Sequence, residues 1–515
     1  MNRRLLLRSA LALAASSFVA ACGAQHAGRG RRTVRLLSDP FALGVASGEP
    51  STDGFVIWTR LLIDEPAAAV QVEYEVAADA AFKKTVRRGT TAALAELAYS
   101  LHIVIEGLQP GRDYWYRFHC SGSVSPTGRS RTIPATPSRL RAALVSCQHW
   151  EHGYFSAYAD IIEQDPDVVL HVGDYIYEKS FGEGPMARRF PSAEPRTLQE
   201  YRARYALYRS DPHLRDAHAA VPFVATWDDH EVQNDYAGSE SALGESPDAF
   251  HARRAAAYRA YFEHMPLRPQ SLVAGGEVQL FRTLRWPGLA TLYVLDTRQY
   301  RSVQPCSAGS SKQGHPIDRC SEVDAPSRTM LGTPQEQWLA QNLAAETSPW
   351  SVLVQQTLFA PMQLRGGTLW SDFWDAYASS RRTVLGALSQ RPVQNALILG
   401  GDLHSFWVND VHARPLDDRS AVIATEVITS CLASRNGPPS LLDDVRLRNA
   451  HVKHLDNSHS GYALLDIHAS HTSIELRAVV NLLDRQSRTR KLETFVVENG
   501  RPGAVKQTAD DLAHL

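Results

Sequence analysis

Hydrophobic residues alternate with polar ones along four short segments in the first quarter of the chain. Residues 55–61, 70–76, 101–106 and 114–120 place an apolar residue at about every second position, and clusters of Gly, Pro, Asp and Ser separate them. A period of two is typical of half-buried strands, and turn residues between the strands favour antiparallel pairing. We therefore predict a small all-β sandwich domain over residues 35–135.

The pattern changes at about residue 140, where short continuous apolar runs begin to alternate with segments of helical periodicity. The runs cover residues 142–145, 168–172, 221–226, 291–295, 351–354 and 396–399. Continuous apolar runs suit strands that are buried on both faces. We predict a layered α/β domain over residues 140–495, with central sheets flanked by helices, and a C-terminal tail over residues 496–515.

Composition and charge narrow the class of protein. The chain has 515 residues, and its 54 basic and 55 acidic residues give a formal net charge of −1. It therefore lacks the cationic excess of most proteins that bind nucleic acid or anionic membranes, and we expect no nucleic acid as a specific partner. Nothing in the pattern predicts an oligomeric state.

Residues 1–22 have the pattern of an export signal. Arg3 and Arg4 precede an apolar run over residues 10–21, which is too short to cross a bilayer, and the paired arginines resemble a twin-arginine signal. The residues before Cys22 also resemble a lipoprotein cleavage site, and the alternative is ordinary cleavage without a lipid anchor. We predict a periplasmic or cell-surface protein whose membrane contact is limited to the signal or to a lipid on Cys22.

The cysteines differ in their expected roles. Cys306 and Cys320 flank a loop rich in Ser and Gly, and an oxidising compartment favours a loop-closing disulfide between them. Cys120 and Cys431 are expected to be buried small apolar residues. Cys147 differs because it directly follows a predicted buried strand.

Side chains that can bind metals follow four of the predicted buried strands. They are Cys147 after the first strand, Asp174 and Tyr177 after the second, Asp228, Asp229 and His230 after the third, and Asp402 and His404 after the fourth. Each taken singly has a structural explanation, such as a core cysteine or an Asp in a turn. Four such coincidences are improbable, and the carboxyl ends of strands in a layered α/β domain are the usual place for a site. We therefore predict that these side chains form one site.

Three motifs in these segments resemble the ligand motifs of calcineurin-like metallophosphoesterases. They are Gly173-Asp174-x-x-Tyr177, Asp229-His230-Glu231 and Gly401-Asp402-x-His404. Residues 41–50, 227–238 and 296–301 resemble the PhoD-type alkaline phosphatases more narrowly, and the resemblance covers nearly the whole mature chain. It implies a metal-dependent enzyme whose substrates are phosphomonoesters, with phosphodiesters as further expected substrates.

The resemblance also implies two adjacent metal sites. In the first, Fe(III) would be held by Cys147, the bridging Asp174, Tyr177 and His404. A phenol with a pKa near 10 binds metal at neutral pH only when the metal is a strong Lewis acid, which favours Fe(III).

In the second site the resemblance implies Ca²⁺. Asp229 and Asp402 stand where related enzymes have Asn and His, and carboxylate oxygens favour this hard cation. Asn234 and Asp228 are candidates for the remaining ligands, and the alternative for both is a capping or supporting role.

Two neighbouring cations can bind a phosphoryl oxygen, acidify an oxygen nucleophile and stabilise the charge of in-line displacement. Asp174 is therefore expected to be essential for catalysis. His230 resembles the family histidine that binds phosphate or protonates the leaving oxygen, and the alternative is that it orients a carboxylate. Arg298 and Arg382 are expected to form surface ion pairs rather than to bind phosphate.

Two other functions stay open at this stage. One is a phospholipase D-like or other phosphodiesterase, because the same metal cluster can cleave diesters. The other is a non-enzymatic, calcium-stabilised cell-surface binding protein. Tyr177 and His404 argue against it, because a structural calcium site uses oxygen ligands and has no use for imidazole.

Overall fold

The computed structural model describes residues 39–182, 184–273, 276–306, 312–390, 393–437 and 445–508. The predicted signal segment with Cys22 and the last residues of the predicted tail lie outside these ranges. Within the described ranges, the structure contains no helix that is long and apolar enough to cross a membrane.

Most of the strands belong to two large sheets. In chain order the strands are β1 (Val45–Gly48), β2 (Phe55–Arg60), β3 (Ala69–Ala77), β4 (Thr85–Leu94), β5 (Ser100–Ile105), β6 (Asp113–Cys120), β7 (Ser123–Val124), β8 (Gly128–Arg131), β9 (Arg139–Val145), β10 (Val168–His171), β11 (Phe223–Ala225), β12 (Arg282–Trp286), β13 (Ala290–Val294), β14 (Pro316–Ile317), β15 (Trp350–Val354), β16 (Leu369–Trp370), β17 (Asn395–Gly400), β18 (Phe406–His412), β19 (Val422–Ile428), β20 (Val452–Asp456), β21 (Gly461–His468), β22 (His471–Val479), β23 (Thr489–Glu498) and β24 (Arg501–Lys506). The ten-stranded sheet has the order β24-β23-β22-β21-β9-β10-β11-β1-β2-β5, and the seven-stranded sheet has the order β12-β13-β15-β17-β19-β18-β20.

The two large sheets pack face to face, and helices cover their outer faces. The apolar layer between the sheets includes Leu144, Leu170 and Val224 from the ten-stranded sheet and Leu292, Val352 and Leu397 from the seven-stranded sheet. The helices α1 (Ala157–Glu163), α2 (Leu198–Arg209), α3 (Pro212–Ala220) and α4 (Pro247–His264) pack on the ten-stranded sheet, and α5 (Thr333–Ala344) and α6 (Ala378–Leu388) pack on the seven-stranded sheet. Side chains on both faces of these strands are buried, which explains the continuous apolar runs. The predicted layered α/β fold is confirmed.

The N-terminal sandwich shares a sheet with the rest of the molecule. Strands β3, β4, β6, β7 and β8 form its outer sheet, which packs on β1, β2 and β5. Strand β1 pairs in parallel with β11 through Gly48 and Phe223, so β1, β2 and β5 continue the ten-stranded sheet. The all-β domain is therefore present, but one of its two sheets is an extension of the sheet that carries the strand ends described below.

The start of the C-terminal tail, predicted over residues 496–515, is placed too early in the chain. Residues 496–498 complete β23, and β24 pairs with β23 at the edge of the ten-stranded sheet. Phe495, Val497 and Ala504 pack into the layer between the two large sheets, where Phe495 and Val497 share one face because residues two positions apart in a strand point to the same side.

The parallel strands end in register where the predicted site residues begin. Val145 pairs with His171, and His171 pairs with Ala225, so β9, β10 and β11 end side by side. In the facing sheet, Val354 of β15 pairs with both Val294 of β13 and Leu399 of β17. The segments that follow these strands are thereby brought to one end of the layer between the sheets.

The predicted disulfide is confirmed, because Cys306 and Cys320 are covalently bonded. Cys120, Cys147 and Cys431 are free and buried.

Several histidines are buried as neutral groups. His102 belongs to β5 and is half-buried against α4, where its ring stacks on Phe262 with 4.3 Å between ring centroids. Burial lowers its pKa from 6.5 to about 4, and burial lowers the pKa of His171 to about 3. A base whose pKa is lower in the folded state is protonated first in the unfolded state, so it destabilises the fold as pH falls.

We therefore expect stability to fall as pH falls from about 6.5 to about 4, with His102 alone accounting for about 3 kcal/mol of the free energy of unfolding. Denaturant midpoints measured across this range should change less with pH in His102→Gln than in wild type. The exposed His251→Gln serves as the control and should follow wild type. Identical pH dependence in all three proteins would contradict this account.

Candidate active site

The residues after the strand ends lie in sharp turns. Cys147, Asp174, Asp402 and His404 have φ angles of 59°, 55°, 69° and 52°. Such left-handed conformations cost roughly 1–3 kcal/mol each in residues other than glycine, and they persist only where surrounding contacts enforce them. Their concentration at one end of the sheets is typical of a functional site.

Two glycines allow the segments from different strands to approach each other. Gly173 has a φ of 112°, and a Cβ atom there would lie 2.4 Å from the Cβ of Asp228. A Cβ atom at Gly401 would lie 2.3 Å from Oγ of Ser146. The glycine before Asp174 and the glycine before Asp402 are therefore required by close backbone approach.

Four of the predicted ligands converge in a first cluster. A donor atom from each of Cys147, Asp174 and His404 lies within 4.8 Å of the other two. The Tyr177 hydroxyl donates to Oδ2 of Asp174 at 2.8 Å and lies 3.0 Å from Nε2 of His404. Oδ1 of Asp174 is buried and has no hydrogen-bond partner among the described residues. A thiol, a carboxyl, a phenol and an imidazole therefore meet in one place and can hold a metal ion.

His404 is oriented by a backbone carbonyl. Its Nδ1 lies 2.6 Å from the carbonyl oxygen of Arg435, so Nδ1 donates a proton to that oxygen. The unprotonated Nε2 faces the Tyr177 oxygen, whose only hydrogen is donated to Asp174. Burial lowers the pKa of His404 to about 4, which keeps the ring neutral. This arrangement of a donating and a free ring nitrogen is common in metal-binding histidines.

The acidic groups of this cluster resist ionisation in the absence of a cation. Burial raises the pKa of the Cys147 thiol and of the Tyr177 phenol well above their usual values, and the charge of Asp174 adds to both effects. Burial likewise raises the pKa of Asp174, and the nearby Asp229 and Asp228 raise it further. A bound cation would remove these penalties by stabilising the ionised forms.

A second cluster shares Asp174 with the first. Donor atoms of Asp174, Asp229 and His230 lie within 4.8 Å of one another. Burial tends to raise the pKa of Asp229, but the Arg298 and His230 charges outweigh burial and hold this pKa below its usual value. Asp174 thus lies between the two clusters, where a bridging group would stand.

His230 lies against Tyr177 and is held by Glu178. The two rings stack with 4.2 Å between centroids, and Nδ1 of His230 lies 2.7 Å from Oε2 of Glu178. Burial alone would lower the pKa of His230, but Glu178 and Asp174 raise it well above the usual value. His230 is therefore a proton donor whose Nε2 is not engaged by Glu178.

Arg298 is not on the surface, so the expected surface ion pair is wrong. Its side chain is fully buried, Nε donates to Oδ1 of Asp228, and Nη1 donates to Oδ2 of Asp372 at 2.7 Å. A buried guanidinium is retained only where carboxylates compensate it, and Asp228 and Asp372 provide that compensation. Arg382 does form the expected exposed ion pair, with Asp324 at 2.9 Å.

The remaining predicted calcium ligands lie around the second cluster. Oδ2 of Asp402 accepts a hydrogen bond from the Thr357 hydroxyl at 2.7 Å, and burial raises the pKa of Asp402 to about 7. The Asn234 amide donates to the Asp235 carboxylate. Asp402 lies outside both groups of clustered donor atoms described above.

Sequence reasoning missed the residues that hold the turns in place. The Glu231 carboxylate accepts from the backbone nitrogens of Asp174 at 3.1 Å, Tyr175 at 2.6 Å and Asp228 at 2.9 Å. Burial raises its pKa to about 8. Glu178 was missed as well, although it directly follows Tyr177 in the sequence. Glu231 is the last residue of the motif Asp229-His230-Glu231 and Glu178 directly follows the motif that ends at Tyr177, and these positions were the only signals for the two residues.

The clusters open to solvent on one side. Most of the donors are buried, whereas the His230 side chain is 10% exposed and the Asp402 side chain is 20% exposed. Asn234 and His404 are also half-buried. A substrate therefore reaches the clusters past these four residues.

Comparison with known proteins agrees with this geometry. Residues 142–476 match the family model of the PhoD-like phosphatase, and residues 26–134 match that of the PhoD-like phosphatase N-terminal domain. Alkaline phosphatase D of Bacillus subtilis (strain 168) is 39% identical over 488 residues, which are 91% of this chain and 82% of that protein. A solved structure of PhoD has a TM-score of 0.87 and 38% identity, and the match covers 92% of this chain and 93% of that one.

The fold is thus that of a phosphoric ester hydrolase, and this protein is an enzyme of that class. The chain belongs to the PhoD-like phosphatase family.

Gly173→Ala should disable the site, because the new Cβ would clash with Asp228 and displace the turn that carries Asp174. We expect kcat/KM for a phosphate ester to fall at least about 100-fold, since displacements near 1 Å have effects of this size. Gly244→Ala is the matched control, with a φ of 74° and no atom within 4 Å of the added Cβ. Equal activities of the two variants would contradict the packing argument.

Proposed function

We propose that this enzyme hydrolyses phosphate esters with Fe(III) and Ca²⁺ held between the strand ends of its two large sheets. The observation that carries the proposal is the first cluster, in which Cys147, Asp174 and His404 bring donor atoms within 4.8 Å of one another and Tyr177 contacts two of them. Thiol and phenol donors ionise near neutral pH only beside a strong Lewis acid, which favours Fe(III). When bound, the two cations supply charge stabilisation for phosphoryl transfer.

The calcium ion would be held by oxygen donors beside the first cluster. Asp229 shares the second cluster with Asp174, and Asp402 faces the same space from the opposite sheet. Asn234 remains a candidate ligand. Asp228 remains a candidate as well, because Arg298 engages its Oδ1 whereas its buried Oδ2 has no hydrogen-bond partner among the described residues. A set of hard oxygen donors favours Ca²⁺ over zinc.

His230 has the properties of a substrate-binding acid. Glu178 accepts a hydrogen bond from its Nδ1 and raises its pKa, which favours the protonated ring. Its Nε2 can donate a hydrogen bond to a phosphate oxygen or a proton to the leaving oxygen. Stacking on Tyr177 fixes the plane of the ring while these contacts form.

We propose further that the enzyme acts outside the cytoplasm, after export directed by residues 1–22. The Cys306–Cys320 disulfide supports this proposal, because disulfides persist mainly in oxidising compartments. Lipidation of Cys22 stays a prediction.

Activity should require calcium and the first cluster. We expect purified protein to release nitrophenol from p-nitrophenyl phosphate, its bis-ester or both at alkaline pH with Ca²⁺, and to lose this activity on chelation. Cys147→Ala and Asp174→Asn should each lower kcat/KM at least about 100-fold. Loss of a residue that only supports a metal ligand lowers activity about 10- to 100-fold, and loss of the ligand itself should lower it further.

The control for this assay is Cys120→Ala, which removes a buried thiol from the N-terminal sandwich. It should retain wild-type activity. Cleavage of the bis-ester alone would identify a phosphodiesterase. Failure of protein replete with iron and calcium to cleave either ester would refute the proposal.

The iron should be visible through Tyr177. A phenolate bound to Fe(III) absorbs visible light, so we expect the iron-loaded protein to be coloured. The visible absorption band should be lost in Tyr177→Phe, and the iron content of both proteins is measured in parallel. Tyr293→Phe, which removes a buried phenol from β13, is the control and should keep the band. Iron-loaded wild-type protein without colour, or a band that survives Tyr177→Phe, would rule out this ligand assignment.

A further inference from the structure

Arg298 is clamped between carboxylates from two directions. Nε donates to Asp228, and Nη1 donates to Oδ2 of Asp372 at 2.7 Å. Asp372 is itself held at Oδ1 by Arg301 and by Nε2 of Gln304 at 2.9 Å. Two of the three guanidinium nitrogens are therefore fixed, and with them the position of the third.

The third nitrogen, Nη2, faces the proposed calcium ligands. It lies 3.7 Å from Oδ2 of Asp402 and 4.0 Å from Oδ2 of Asp229, and it makes no hydrogen bond to any residue that the structure describes. Asp229 follows β11 in the ten-stranded sheet, whereas Asp402 follows β17 in the seven-stranded sheet. One guanidinium group thus stands beside carboxylates that come from opposite sheets.

We propose that Arg298 is a positioning residue for the second cation. Arg298 holds the carboxylates of Asp229 and Asp402 at a separation at which both can bind one divalent cation. This inference rests on the proposed function. Two effects of opposite sign compete at such a position. The positive charge of Arg298 repels a cation, so its removal would tighten binding, whereas loss of the ordered carboxylate pair would weaken binding. We infer that positioning outweighs repulsion, because Nη2 is fixed where it attracts both carboxylates at once.

The test is calcium affinity measured by titration calorimetry on iron-loaded protein, with the iron–tyrosinate band as a separate measure of the first cluster. In Arg298→Gln we expect the Kd for Ca²⁺ to rise about 10- to 100-fold while the band is unchanged. Arg298→Lys should recover part of the affinity, because an ammonium group retains the charge without the fork geometry. An unchanged or lower Kd in Arg298→Gln would overturn the proposal.

Replacement of the buried charge of Arg298 can prevent folding, so a second variant tests the same proposal. Asp372→Asn leaves Arg298 in place but weakens one side of its clamp, and it should raise the Kd for Ca²⁺ in the same direction. Asp375→Asn is the matched control, since Asp375 is buried and paired with Arg381 at 2.7 Å but does not contact Arg298. Equal affinities of Asp372→Asn and Asp375→Asn would overturn the proposal. Wild-type protein that binds no Ca²⁺ would instead refute the proposed function itself.

Discussion

The burial of many acidic groups in one place is the constraint on which this structure depends. Asp174, Asp228, Asp229 and Asp372 are all buried between the ends of two sheets, together with Cys147 and Tyr177. Two unit charges about 4.8 Å apart repel by roughly 3 to 4 kcal/mol at an effective dielectric constant of about 20. In its ionised form such a cluster persists only where cations compensate it, and Arg298, Arg301 and His230 supply part of that compensation from the chain itself.

The rest of the fold places these groups and keeps them in place. Parallel strands that end in register deliver the turns to one edge, and the apolar layer between the sheets sets the separation of the two halves of the site. Gly173 and Gly401 permit the turns to approach, and Glu231 ties two of the turns together through their backbone nitrogens. The chain thereby meets the requirement of a metal centre for donors held rigidly by surrounding contacts.

Sequence reasoning predicted the parts of the site that depend on local pattern. The positions of Cys147, Asp174 and His404 after apolar runs were sufficient to group them, because strand ends meet wherever parallel strands pair. The sharing of one sheet between the sandwich and the larger domain was not predictable, since it depends on a single pairing between Gly48 and Phe223, far apart in sequence. The tail was misjudged because β23 and β24 carry an alternation that is weak beside the continuous runs of the central strands.

Arg298 shows most clearly where the sequence was insufficient. An arginine in a loop motif is exposed in most proteins, and only the arrangement of Asp228 and Asp372 around it reveals that it is buried. Glu178 was missed for a related reason, because its contact with His230 joins residues 52 positions apart. Both residues act through partners that the fold supplies, so their roles follow from geometry rather than from motif.

The proposed function depends on iron binding by the strand-end cluster. The most direct measurement is X-ray diffraction from crystals of the iron-loaded protein above and below the iron absorption edge. We expect an anomalous iron peak within bonding distance of Cys147, Asp174, Tyr177 and His404. Iron bound elsewhere, or no peak between these four side chains in an active enzyme, would contradict it.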